Sequence, residues 1–133
     1  MMRSSKISYF LSFCIEQYKQ KHRLTGEQAM KELDKYGVLD YLEPVTANET
    51  QEQDRTFDYR PLMRSVTQDN LYLLLPAKVS WVADMLCEDE HISVIEALRK
   101  VYTSTMYKQL EQESTKLWHE GPVSLYQSMQ PQA

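Results

Sequence analysis

The sequence predicts an all-α protein made of two related three-helix units joined by a polar linker. Three observations carry that prediction. At an offset of 68 residues, Thr25 falls on Ser93, Gln28 on Glu96, Ala29 on Ala97, Met30 on Leu98, Lys31 on Arg99, Leu33 on Val101, Leu42 on Leu110 and Glu43 on Glu111, with no gap. At a slightly different offset, Lys6-Ile7-Ser8-Tyr9 matches Lys78-Val79-Ser80-Trp81. Apolar residues recur at helical spacing in both halves, and each half carries a capping-box pattern at the equivalent place. The predicted organisation is a first unit over 1–43, an acidic linker with a hydrophobic strap over 44–75, and a second unit with a C-terminal extension over 76–133.

In the first unit, Ile7, Phe10, Leu11, Cys14, Ile15 and Tyr18 follow i, i+3, i+4, i+7, i+8 and i+11, one stripe of a helix. This register sends Ser12, Glu16, Lys19 and Gln20 toward water. Thr25-Gly26-Glu27-Gln28 has the spacing for the Thr25 hydroxyl to accept a first-turn amide while Gln28 reaches back to the Thr25 amide. A second helix therefore begins there, with Ala29, Leu33 and Tyr36 facing the first. Gly37 supplies the left-handed residue that ends it, and Val38 to Glu43 reads as a short third helix stopped by Pro44. Residues 44–61 lack any apolar period, so burial there cannot offset the cost of ordering the backbone, and an extended or mobile path is expected. The Leu71 to Leu75 run is compatible with a strand or a strap, and helix is the favoured reading.

Pro76 suits the first turn of a helix, where its missing amide would be unpaired in any case. Val79, Val82, Ala83 and Leu86 form the buried stripe of that helix. Ser93-Val94-Ile95-Glu96 repeats the capping box, placing Val94, Ala97, Leu98 and Val101 inward, and Tyr107 and Leu110 continue inward from a third helix. Lys116 to Pro122 has no counterpart in the first unit. A last helical turn or two follows to about Met129, and the tail from Gln130 to Ala133 is expected to fray.

The formal net charge of −4 weighs against duplex DNA or an anionic membrane as the main partner, since such binding rests on a positive surface. Charge is uneven. Arg3, Lys6, Lys19, Lys21 and Arg23 oppose only Glu16 in residues 1–23, whereas Glu43, Glu49, Glu52, Asp54 and Asp58 oppose only Arg55 in 43–58. Cys14 and Cys87 form no C-x-x-C pair, so reduced, buried thiols are expected. Ile7 to Ile15 is interrupted by Ser8 and Ser12 and lacks a small-residue cleavage site, and no run reaches the roughly 20 apolar residues that span a bilayer. The expected compartment is the cytoplasm.

Few constellations invite chemistry. Asp84, Cys87, Glu88 and His91 lie within two turns, but a thiolate and an imidazole at i, i+4 are two ligands and a metal site needs more. Thr103-Ser104-Thr105 has no neighbouring base and reads as a helix cap. The turn at Gly37 resembles a helix-turn-helix, yet the candidate reading helices are short or acidic. No catalytic residue, cofactor or metal is therefore assigned. The candidate interface residues are large aromatics and a neighbour: Trp118, His119, Tyr107, Tyr102 and Trp81. Trp118 is the chosen anchor because it lies in the segment absent from the first unit.

Ser5 to Tyr18, Leu24 to Glu27 and Lys35 to Leu42 resemble a family of small bacterial proteins from gut Firmicutes and Bacteroidetes that carry a domain of unknown function. The family's usual continuation, a histidine-containing stretch leading into an acidic helix, is missing after Glu43. Ile92 to Leu98, Thr103 to Tyr107 and Thr115 to Pro122 resemble a second small family often encoded beside the first, so the chain resembles a fusion of the two. The resemblance implies a companion of an ADP-ribosyltransferase-like protein, in a toxin and antitoxin arrangement. The expectation is thus a non-enzymatic interaction module with a protein partner, and self-association is compatible with it. The alternative is a small nucleic-acid-binding regulator.

Overall fold

The computed structural model describes residues 2–42 and 66–129. The expectations for the linker over 44–61, for Pro44 and for the tail from Gln130 lie outside them. Helix α1 (Met2–His22) is followed by α2 (Gly26–Lys35) and a short α3 over residues 38–42. A 3-10 turn (Leu71–Leu73) leads into α4 (Leu75–Glu90), then α5 (Val94–Tyr102) and α6 (Thr105–Leu110). Two further 3-10 turns (Glu113–Thr115 and Leu117–His119) connect to α7 (Pro122–Met129). Among the described residues there is no strand, and no helix is long and apolar enough to cross a membrane.

Hydroxyl caps set three of the helix starts. Thr25 accepts from the Gln28 amide at 3.1 Å and completes the box through Gln28 Oε1, 3.0 Å from the Thr25 amide. Ser93 accepts from the Glu96 amide at 3.1 Å, and Ser104 from the Tyr107 amide at 3.0 Å. Each such cap contributes about 1 kcal/mol. The expected cap at Ser104 is thus present, and α2 and α5 start 68 residues apart, in register with the sequence repeat. Left-handed residues stop the helices: Arg23 after α1, Gly37 after α2 and His91 after α4.

One hydrophobic core joins both halves of the chain. The antiparallel pair of α1 and α4 is its spine, since Ser8 lies against Ser80 and Asp84 while Gln20, at the other end of α1, reaches Asp69. Leu11, Ile15, Ala29, Leu39, Leu75, Val79, Val82, Ala97, Leu98, Val101 and Leu110 are all fully buried, whichever half supplies them. The repeat-equivalent pairs Ala29 and Ala97, Met30 and Leu98, and Leu33 and Val101 all face inward. A guanidinium fork from Arg99 to Asp34, two bonds of 2.9 Å, ties α5 to α2 near the surface.

Two expectations about facing are corrected. Tyr36 is 71% exposed, because it is the C-cap residue of α2 and the chain has already turned outward. Ser12, Glu16 and Lys19 are buried, and only Gln20 of that set faces water. A single apolar stripe corresponds to one covered face, but α1 packs against α4 on one side and is also met by α2 and α5.

Gly26 records how closely α2 approaches α6. A Cβ there would lie 2.2 Å from Tyr107 Cε2, well inside contact. In an isolated helix Gly→Ala stabilises by up to about 1 kcal/mol. Here Gly26→Ala is expected to destabilise by about 1–3 kcal/mol, the usual cost of overpacking. Urea melts of the two proteins check this, and a variant more stable than the parent would contradict the close approach.

Candidate functional site

The most distinctive local arrangement is a polar network buried between α1 and the α5–α6 segment. Ser8, Ser12, Glu16 and Lys19 succeed one another at i+4, i+4 and i+3, so they form one stripe of α1. The first three are fully buried and Lys19 is nearly so. Small serines let neighbouring helices come close: Ser8 meets Ser80 and Asp84 of α4, and the room beside Ser12 and Glu16 is filled by the phenols of Tyr102 and Tyr107. Their rings pack with centroids 4.5 Å apart.

Glu16 is the hub. Its Oε2 accepts from Tyr102 at 2.9 Å and from Tyr107 at 2.5 Å. Its Oε1 lies 2.6 Å from Lys19 Nζ. Tyr102 also shares a 2.7 Å hydrogen bond with Ser12, and Lys19 donates to the Tyr107 hydroxyl at 3.2 Å. Glu111, at the end of α6, stands 3.5 Å from Lys19 and accepts the Gly26 amide at 2.9 Å, which satisfies a free donor at the start of α2. The network thus links α1, α2, α5 and α6.

Burial pushes the Glu16 carboxyl above its ordinary range, opposed by the Lys19 charge and by the hydrogen bonds it accepts. Both phenols are pushed well up, chiefly by burial and then by the neighbouring Glu16 charge. The protons therefore stay on the tyrosines, which act as donors to one carboxylate. The arrangement locks helices together, and it meets the surface where Lys19 and Glu111 line a cleft of about 230 Å³.

The structure separates the five candidate interface residues. Tyr102, Tyr107 and Trp118 are buried, which corrects the expectation that they meet a partner. The two tyrosines are held inside by Glu16. Trp118 is 4% exposed, with its indole nitrogen donating to the Glu113 carbonyl at 3.1 Å. The two 3-10 turns fold the extension back onto the core, so it does not project. His119 is exposed and stacks on Trp118. Trp81 is 59% exposed on the outer side of α4, and Phe13, Tyr36 and Tyr41 are the other large aromatics at the described surface.

Cys14 and Cys87 are thiols, both half-buried, and burial raises the Cys14 thiol. His91 is exposed at the left-handed end of α4. Among the described residues no three His, Cys, Asp or Glu side chains gather in a way that could hold a metal ion.

Residues 9–45 match the model of a family described as "Protein of unknown function (DUF3791)". That stretch covers most of α1, all of α2 and α3, and three members of the network's α1 stripe, Ser12, Glu16 and Lys19. The chain is similar to that family there. No curated protein and no solved structure matches the chain.

Proposed function

We propose that this chain is a non-enzymatic protein-interaction module, a cytoplasmic antitoxin-like or regulatory partner of a bacterial protein encoded beside it. The resemblance of its second half to a companion family points to a fusion, and to an ADP-ribosyltransferase-like protein as the partner. The observation that supports the interaction reading most is Trp81, more than half exposed on α4 while the flanking Ser80 and Val82 are buried. An exposed indole on a rigid helix is the kind of residue that anchors interfaces, where a few aromatics carry most of the energy. The groups best suited to acid–base chemistry, Glu16, Tyr102 and Tyr107, are instead bonded to one another inside the fold.

Co-purification from the native host, with the captured protein identified, is the test. Trp81→Ala is then expected to weaken binding at least tenfold, about 1.4 kcal/mol, with the melting temperature nearly unchanged because little buried area is lost. Unchanged affinity would remove α4 from the interface, and capture of nucleic acid without protein would favour the regulator reading.

A further inference from the structure

The cleft beside the buried network combines a carboxylate head site with an apolar wall. Glu111 is more than nine-tenths buried, and both of its contacts, with Lys19 Nζ and the Gly26 amide, fall on Oε1. Among the described residues no contact falls on Oε2, and Glu111 lines the cleft. Asp69 lines the same cleft and is exposed. Lys19 also lines it, one cation shared between Glu16 at 2.6 Å and Glu111 at 3.5 Å, and so outnumbered by Glu16, Glu111 and Asp69. The cleft therefore presents net negative charge. Leu24, Leu71 and Tyr72 supply apolar and aromatic wall.

The site is held in shape from below. Gln68 donates to the Glu111 carbonyl at 2.8 Å and accepts from the Glu113 amide at 2.8 Å, pinning the chain on both sides of residue 112. At about 230 Å³ the cleft is smaller than the roughly 300–1,000 Å³ of pockets for drug-sized ligands. It suits one long side chain rather than a nucleotide.

We infer that this cleft receives a basic side chain, an arginine or lysine of the partner protein, with its cationic head on Glu111 and Asp69 and its aliphatic stem along Leu24, Leu71 and Tyr72. The chemistry follows from the lining: carboxylates select a cation, and the apolar wall favours one carried on a methylene stem. An aromatic wall adds attraction for a guanidinium. The source of the side chain rests on the interaction reading above, whereas the cation preference does not.

The test is a chemical-shift titration of the full-length protein with agmatine, a dication with a guanidinium and an ammonium at the two ends of a four-carbon stem, and with butylurea, which keeps the stem and carries neither charge. Agmatine is expected to bind with a Kd of about 10 mM or tighter, shifting the amides of Leu24, Asp69 and Tyr72. Butylurea should bind at least fivefold more weakly. Asp69→Asn, at an exposed residue whose loss leaves the fold intact, should weaken agmatine at least threefold, and Glu111→Gln, which keeps an acceptor for the Gly26 amide, should weaken it further. No agmatine binding, equal binding of butylurea, or an unaffected Asp69→Asn variant would overturn the site. A blocked Gly-Arg-Gly peptide should bind at least as well as agmatine. If agmatine binds and the peptide does not, the assignment to a protein side chain is overturned, independently of whether co-purification finds a partner.

Discussion

Lys19→Met is expected to destabilise the protein by about 3–5 kcal/mol, the cost of breaking a buried ion pair by removing one partner. Lys19 is the cation between two buried acids, 2.6 Å from Glu16 and 3.5 Å from Glu111. Methionine conserves much of the stem but leaves both carboxylates uncompensated, and the Tyr107 hydroxyl loses a donor. The loss should be smaller in a Glu16→Gln background, where one of the two stranded charges is gone. Denaturant melts of the three variants read this directly. A loss below about 1 kcal/mol, typical of an exposed pair, would show that Lys19 lies in water.

Trp118→Ala should cost a similar amount, about 3–5 kcal/mol, as for other buried tryptophans. The substitution removes a large ring and leaves the Glu113 carbonyl without its indole donor. The turns from Glu113 to His119 lie against α6, and α7 packs on both α4 and α6. Loosening this segment should therefore be felt across the second half of the chain. Had Trp118 been a surface anchor, the variant would melt with the parent protein and fail only in partner binding. A melting temperature within about 2 °C of the parent would restore that reading, since 1 kcal/mol corresponds to roughly 2–8 °C across small and medium domains.

Much of the fold was legible because it rests on local signals. Thr25 and Ser93 announce helix starts through hydroxyl caps, Gly37 announces a stop, and the inward sets of α4 and α5 follow the helical period residue by residue. These depend on neighbours three or four positions away, so they can be read from the chain alone. The buried network could not be read this way. Glu16 and Lys19 have the residue types and spacing of an ordinary solvated i, i+3 pair, and burial follows only because Tyr102 and Tyr107 arrive from 86 and 91 residues further on. One clue was present. Ser8 and Ser12 extend the same stripe, and small residues at i and i+4 ahead of a charged pair mark a face that another helix can approach. Trp118 is buried for a related reason: its segment lies outside the repeated core in sequence, but the two 3-10 turns fold it back onto the core in space.

The central claim is that a buried polar network, centred on Glu16, joins α1 to the tyrosines of α5 and α6. A double-mutant cycle of Glu16→Gln and Tyr107→Phe, read by denaturant melts, tests it most directly. The two groups share a 2.5 Å hydrogen bond in the interior, so the cycle should return a coupling of at least about 1 kcal/mol, within the range for residues in one buried network. Effects that add to within about 0.5 kcal/mol would mean that Glu16 and Tyr107 do not meet, and would contradict the reach of the Tyr107 side chain from α6 to α1.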